Sequence, residues 1–340
     1  MKALTRLFIL KALLVTLPAF AQAQGAGPIP GQNTGQKTGQ WQSVRAGGMD
    51  FLIRLPAGSS ETNAKPSSLM MSLHGCAQKA EDLRDLGNWE GASDRHNMIV
   101  VLPKVPNGGV IFGCWDYYGT QHDGKNRHTG YLIQLTEYLL SAKSGLNINK
   151  NRVYVSGLSS GSGQAMLLGC FRPDLFAGMG LNAGPVIGSE SSELQQPRIQ
   201  APDVAQLCRS FAGSHAKDLK RQLTSVIIGD QDYIVSQVHM HLIVDAMDEV
   251  YDVTKSEPFE LSTLEGANTR GYGEVHQLAD GKPRLSIIIN DGLGHAWPSG
   301  KGGGSPLPFL PLATQKYVNP NSVNYPMYLA KFFSENNPRD

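Results

Sequence analysis

The chain has 340 residues, 41% of them hydrophobic and 17% charged, which suits a globular protein with a sizeable core. Its net charge is +1, so neither a nucleic-acid partner nor attraction to an anionic membrane surface is indicated.

At the N-terminus, Lys2, Arg6 and Lys11 supply positive charge, residues 12–20 are apolar, and Ala21-Gln22-Ala23 forms an A-x-A pattern. This predicts a signal peptide over residues 1–23, cleaved after Ala23, and a protein secreted to the periplasm or the medium. The apolar stretch is too short to span a bilayer comfortably, so an integral membrane protein is not expected. Residues 24–48 are rich in Gly, Gln and Pro and read as a flexible leader. Residues 49–337 then read as one catalytic domain without a separate substrate-binding module.

Within that domain, strands are expected at 49–55, 69–73, 98–103, 152–156, 177–182, 225–228 and 285–290. Helical spacing covers 83–96, 131–143, 162–170, 201–212, 235–251 and 321–333. Strands alternating with helices imply a mostly parallel central sheet flanked by helices. Cys76, Cys114, Cys170 and Cys208 are an even number in an exported chain, so two disulfides are expected. Three pairings are open. Neighbours in sequence order, Cys76–Cys114 and Cys170–Cys208, are favoured, because each would brace a loop near residues 157–161. The cysteine spacing matches no zinc site.

Gly157-Leu158-Ser159-Ser160-Gly161 reads G-x-S-x-G between a predicted strand and a predicted helix, the context of a nucleophile elbow. A serine hydroxyl is a weak nucleophile and needs a base, which in turn needs an orienting carboxylate. In the α/β-hydrolase fold these follow in the order Ser, acid, His. Asp232 follows the strand at 225–228 and is favoured as the acid, with Asp230 as its rival. His295 follows the strand at 285–290 between flexible glycine-containing turns and is expected to be the base. His276 lies in a polar stretch and reads as a surface residue. The oxyanion hole would use the backbone N–H groups of Ser160 and Cys76, the latter from the loop at 74–78. His74 reads as a residue bracing that loop. Trp115, Tyr117, Tyr118 and Trp297 lie beside loops expected at the catalytic face and are candidate substrate contacts.

Taken together, Leu73-His74-Gly75-Cys76-Ala77-Gln78, Gly113-Cys114-Trp115-Asp116, the elbow and Gly294-His295-Ala296-Trp297 resemble the poly(3-hydroxybutyrate) depolymerase family of secreted esterases. Feruloyl and acetylxylan esterase-like members belong to the same family. The resemblance covers roughly residues 45–335. It implies an α/β-hydrolase domain, a triad of Ser159, Asp232 and His295, and no metal or organic cofactor. It also implies a polyester, oligoester or small ester as substrate, with a carbohydrate ester as the alternative. A non-catalytic polymer-binding relative is disfavoured because all three triad positions are filled. A monomer is expected. One departure is Ile228-Gly229-Asp230, where family members often carry His-Gly-Thr before the acid.

Overall fold

Residues 98–102 and 226–228 are apolar at every position, the pattern of strands buried on both faces. The computed structural model describes residues 38–59, 65–122, 127–301 and 316–340. The predicted signal peptide and most of the predicted leader lie outside these residues. Ten strands form one sheet: β1 (Trp41–Ala46), β2 (Met49–Arg54), β3 (Ser67–Leu73), β4 (Met98–Pro103), β5 (Ile148–Leu158), β6 (Gly178–Asn182), β7 (Leu223–Gly229), β8 (Lys255–Phe259), β9 (Gly271–Gln277) and β10 (Pro283–Asn290). Their order is β1-β2-β4-β3-β5-β6-β7-β10-β9-β8. From β4 across to β10 every pairing is parallel, and antiparallel strands finish both edges.

The helices are α1 (Ala80–Leu86), α2 (Trp89–Arg95), α3 (Thr129–Leu140), α4 (Ser160–Phe171), α5 (Ala201–Ala212), α6 (Gln237–Tyr251) and α7 (Tyr325–Asn336). They cover both faces of the sheet. On β6, Gly178 and Gly180 lie against Phe333 and Leu329 of α7, while Met179 between them points the other way, against Gly169 of α4. The parallel strands are therefore shielded from water on both sides. This is the α/β-hydrolase fold.

Three expectations change. The leader does not run to residue 48: Trp41–Ala46 is a strand, turned back through Gly47-Gly48 onto β2. Both glycines have positive φ, the conformation a tight hairpin needs. The helical pattern at 83–96 is two helices, because Gly87 ends the first and Asn88 sits in the left-handed region at φ 60°. Strands β8 and β9 extend the sheet where no apolar pattern marks them. All but one residue of β8 is exposed, and β9 reads Gly-Tyr-Gly-Glu-Val-His-Gln.

Candidate active site

Parallel neighbours end at the same level, so loops that follow adjacent strands meet. Leu73 of β3 pairs with Gly157 of β5, and Gly229 of β7 pairs with Asn290 of β10. The four loops carrying the candidate residues thus leave the carboxyl edge of the sheet together, where open α/β sheets place their ligands.

The elbow is a strained turn held by its surroundings. Ser159 has φ 56° and ψ −122°, a conformation that costs a non-glycine residue about 1–3 kcal/mol. Its N–H donates to Asn182 O (3.0 Å), and its carbonyl accepts from Ser162 N (2.9 Å) and Gly163 N (3.1 Å). A Cβ at Gly157 would stand 2.3 Å from the Gly161 carbonyl, and one at Gly161 would stand 2.5 Å from both the Leu73 and His74 oxygens. Both glycines are therefore required by close backbone approach. The N-terminus of α4 begins at Ser160, so its first N–H groups point outward without helical partners. Among the described residues, the Ser160 and Cys76 N–H groups donate to no protein acceptor.

Asp232 and His295 are brought together. The His295 Nδ1–H donates to Asp232 Oδ2 at 2.8 Å, with both side chains essentially buried. The other carboxylate oxygen, Oδ1, accepts from Ile234 N (2.9 Å) and Val235 N (3.0 Å). Three donors thus fix the carboxylate, and the proton on Nδ1 leaves Nε2 as the basic ring atom. Asp230 takes a different role: its Oδ1 accepts from Gly292 N at 2.6 Å and ties the acid loop to the histidine loop. Gly229 brings those loops close, since a Cβ there would lie 1.7 Å from Leu293 O.

The turn at residues 74–78 is braced from several sides. Cys76 is bonded to Cys114, and Cys170 of α4 to Cys208 of α5. These are the pairs that sequence order favours. The Ala77 N–H donates to Phe112 O at 2.7 Å. His74 is buried; its Nδ1 faces Gly75 O at 2.8 Å, and burial lowers its pKa. Its carbonyl accepts from the Trp115 indole N–H at 2.9 Å.

Ser159, His295 and Cys76 open onto one cavity of about 540 Å³, within the usual range for ligand sites. Its walls are mostly apolar: Ile111, Phe112, Tyr118, Leu194, Ile234 and Tyr317. Here the aromatic candidates need correction. Trp115, Tyr117 and Trp297 are 0%, 1% and 0% exposed and face the core, not the cavity. The Trp297 indole donates to Gly87 O (3.0 Å), and the Tyr117 ring lies where a Gly163 side chain would be. These rings are consumed in seating the loops, and of the aromatic candidates only Tyr118 lines the cavity. Tyr317 and Phe112 also line it: Tyr317 sits beside no motif, whereas Phe112 directly precedes Gly113-Cys114-Trp115-Asp116 and is a contact that sequence reasoning missed. His276 is not a surface residue either: it is buried, with Nδ1 2.7 Å from Asp248 Oδ2 of α6. Among the described residues, no group of three or more His, Cys, Asp or Glu side chains is placed to hold a metal ion.

Comparison with known proteins gives the same picture. The chain is 31% identical over 96% of its length to the poly(3-hydroxybutyrate) depolymerase of Ralstonia pickettii, covering 65% of that protein. It is 23% identical over 76% of its length to the poly(3-hydroxyalkanoate) depolymerase C of Paucimonas lemoignei, covering 61% of that one. The chain therefore spans just under two thirds of these relatives. Among solved structures, the acetyl xylan esterase from Aspergillus awamori superposes with a TM-score of 0.59 at 17% identity, covering 75% of this chain and 94% of the other, a likeness of fold. Residues 49–246 match the family described as "Esterase PHB depolymerase", and the chain belongs to that family.

Proposed function

We propose that the protein is a serine esterase that hydrolyses poly(3-hydroxybutyrate) or its oligomers through an acyl-enzyme. The observation that carries this reading is the buried Asp232–His295 pair opening, with Ser159 on its strained elbow, into an apolar cavity. His295 Nε2 removes the Ser159 proton as the hydroxyl oxygen attacks the ester carbonyl. The Cys76 and Ser160 amides stabilise the resulting oxyanion, and one such donor is worth about 10²–10³ in kcat. His295 then protonates the departing alcohol, water attacks the acyl-enzyme by the same route, and the acid leaves. Asp232 holds the imidazole tautomer and stabilises its charged form. No organic cofactor enters these steps. Ile111, Phe112, Ile234 and Tyr317 offer methyl-bearing aliphatic units an apolar surface, much of it exposed to solvent until substrate covers it.

A single catalytic domain that includes β1 from Trp41 and action as a monomer belong to the same reading. Two disulfides fit an oxidising compartment. Export through a signal peptide at residues 1–23 is part of the proposal. Among the described residues, no helix is long and apolar enough to cross a membrane.

The test compares acid release from amorphous poly(3-hydroxybutyrate), its soluble trimer and methyl ferulate, for wild type and Ser159→Ala. Release from polymer or trimer that the variant abolishes supports the proposal. Cleavage of methyl ferulate alone would move the substrate to carbohydrate esters. An unchanged Ser159→Ala would remove the mechanism.

A further inference from the structure

The side chain of Gln78 is 4% exposed and makes three hydrogen bonds to backbone at two distant parts of the chain. Its Oε1 accepts from Gly75 N at 2.8 Å, within the turn that presents the Cys76 N–H. Its Nε2 donates to Lys316 O and to Tyr317 O, the latter at 3.2 Å. Lys316 and Tyr317 both have positive φ, 56° and 51°, so this short stretch is held in a conformation that non-glycine residues seldom adopt. The Tyr317 ring lines the catalytic cavity and lies edge-on to the His295 ring, centroids 6.3 Å apart. The Tyr317 carbonyl also accepts from Trp297 N at 2.8 Å, two residues after His295.

We infer that Gln78 is a positioning residue: one primary amide couples the oxyanion turn to the cavity wall beside the catalytic histidine. The requirement is chemical. The site offers one N–H and two carbonyl oxygens, so the bridging group must accept once and donate twice. Among side chains of this length only a primary amide does so. A carboxylate would keep the Gly75 bond and face two carbonyl oxygens with no proton. A thioether would take the side-chain partner from the Gly75 N–H and the Lys316 carbonyl and leave the Tyr317 carbonyl with Trp297 N alone, and the loss at the buried Gly75 N–H forces local rearrangement. The bridge acts on the reaction through the Cys76 N–H, whose aim must match the oxyanion and not the ground-state carbonyl. Its loss therefore falls on kcat more than on KM.

This inference rests on the esterase reading, and its test keeps the two apart. Gln78→Glu and Gln78→Met are compared with wild type using a soluble short-chain nitrophenyl ester, with kcat expressed per active site titrated by a fluorophosphonate. Both variants should lose about 10–100-fold in kcat, less than deletion of an oxyanion donor, with KM within about threefold. Gln78→Glu should recover part of the loss, relative to wild type, as pH falls and the carboxyl gains a proton to donate. A residue that only stabilises the fold would lower the melting temperature and leave kcat per titrated site unchanged, which would overturn the inference. Hydrogen exchange supplies a readout independent of activity. In Gln78→Met, exchange should quicken together at Ala77 N–H and at Trp297 N–H, reporters of the two bridged segments. If only one segment loosens, the coupling is wrong whatever the enzyme hydrolyses. A wild type that neither cleaves the ester nor titrates would instead defeat the esterase reading, leaving the exchange result to judge the bridge.

Discussion

Replacing Asp232 by Asn removes one charge and almost no volume, and the geometry says how the amide will settle. Oδ1 now holds two backbone N–H groups, from Ile234 and Val235, while Oδ2 faces His295 Nδ1. The new amide oxygen can serve only one of these sides. Keeping it on the backbone preserves two hydrogen bonds of about 1 kcal/mol each, against one toward the ring. The amide NH₂ then points at Nδ1, which must become an acceptor, and the imidazole proton moves to Nε2. A protonated Nε2 cannot take the Ser159 proton. Loss of the correct tautomer in a serine triad costs about 10⁴ in kcat, or about 5.5 kcal/mol of barrier. Asp230→Asn is the control. Its oxygen can still accept from Gly292 N, so the effect should stay near the ±0.5 kcal/mol of ordinary surface changes, or about twofold. The assay is steady-state hydrolysis of a soluble ester, with melting temperature measured alongside. If Asp232→Asn kept kcat within tenfold of wild type, or if Asp230→Asn were the more damaged enzyme, the assignment of the acid would fall.

Gly161→Ala should cost about 1–3 kcal/mol of stability and most of the activity, since its Cβ would press on the Leu73 and His74 oxygens beneath the oxyanion turn; denaturant melts and kcat test this together. The two disulfides should separate by function. Each closes 38 residues, worth about 4 kcal/mol in the chain-entropy account. Cys170→Ala with Cys208→Ala should lower the melting temperature while kcat per folded molecule persists, whereas Cys76→Ala with Cys114→Ala should also lower kcat, and equal kcat in both pairs would contradict this. Buried His128 accepts from Asp116 N at 2.9 Å, and burial pushes its pKa down to about 4. The unfolded chain's imidazole gains its proton near pH 6.5, so between there and pH 4 the unfolded state holds more protons. Its stabilising contribution is present above that window and is lost as pH falls through it, by up to about 3 kcal/mol. Melting temperature should therefore decline from pH 6.5 to 4 less steeply in His128→Asn than in wild type, and parallel slopes would refute the assignment.

What could be read from the sequence was whatever local chemistry dictates. The elbow glycines, the apolar parallel strands and the order Ser159, Asp232, His295 are each set by a few neighbouring residues. Asp232 could be preferred to Asp230 only on loop position, whereas in the fold the two carboxylates hold different partners. The cavity wall was not legible. Being near a motif made Trp115, Tyr117 and Trp297 look like substrate contacts, but a large ring beside a catalytic loop is equally the means of seating that loop. Tyr317 reaches the site through pairing of residues 297–298 with 318–319, a contact with no local signature. Strand β8 lacked any alternation because nearly all of it faces solvent, so only its pairing with β9 defines it.

The most direct test of the central claim is rapid-quench mass spectrometry of the protein mixed with excess nitrophenyl 3-hydroxybutyrate, followed by peptide mapping. The account predicts a transient adduct of one hydroxybutyryl group on the peptide containing Ser159, absent in Ser159→Ala. Turnover without any adduct, or an adduct on another residue, would contradict it.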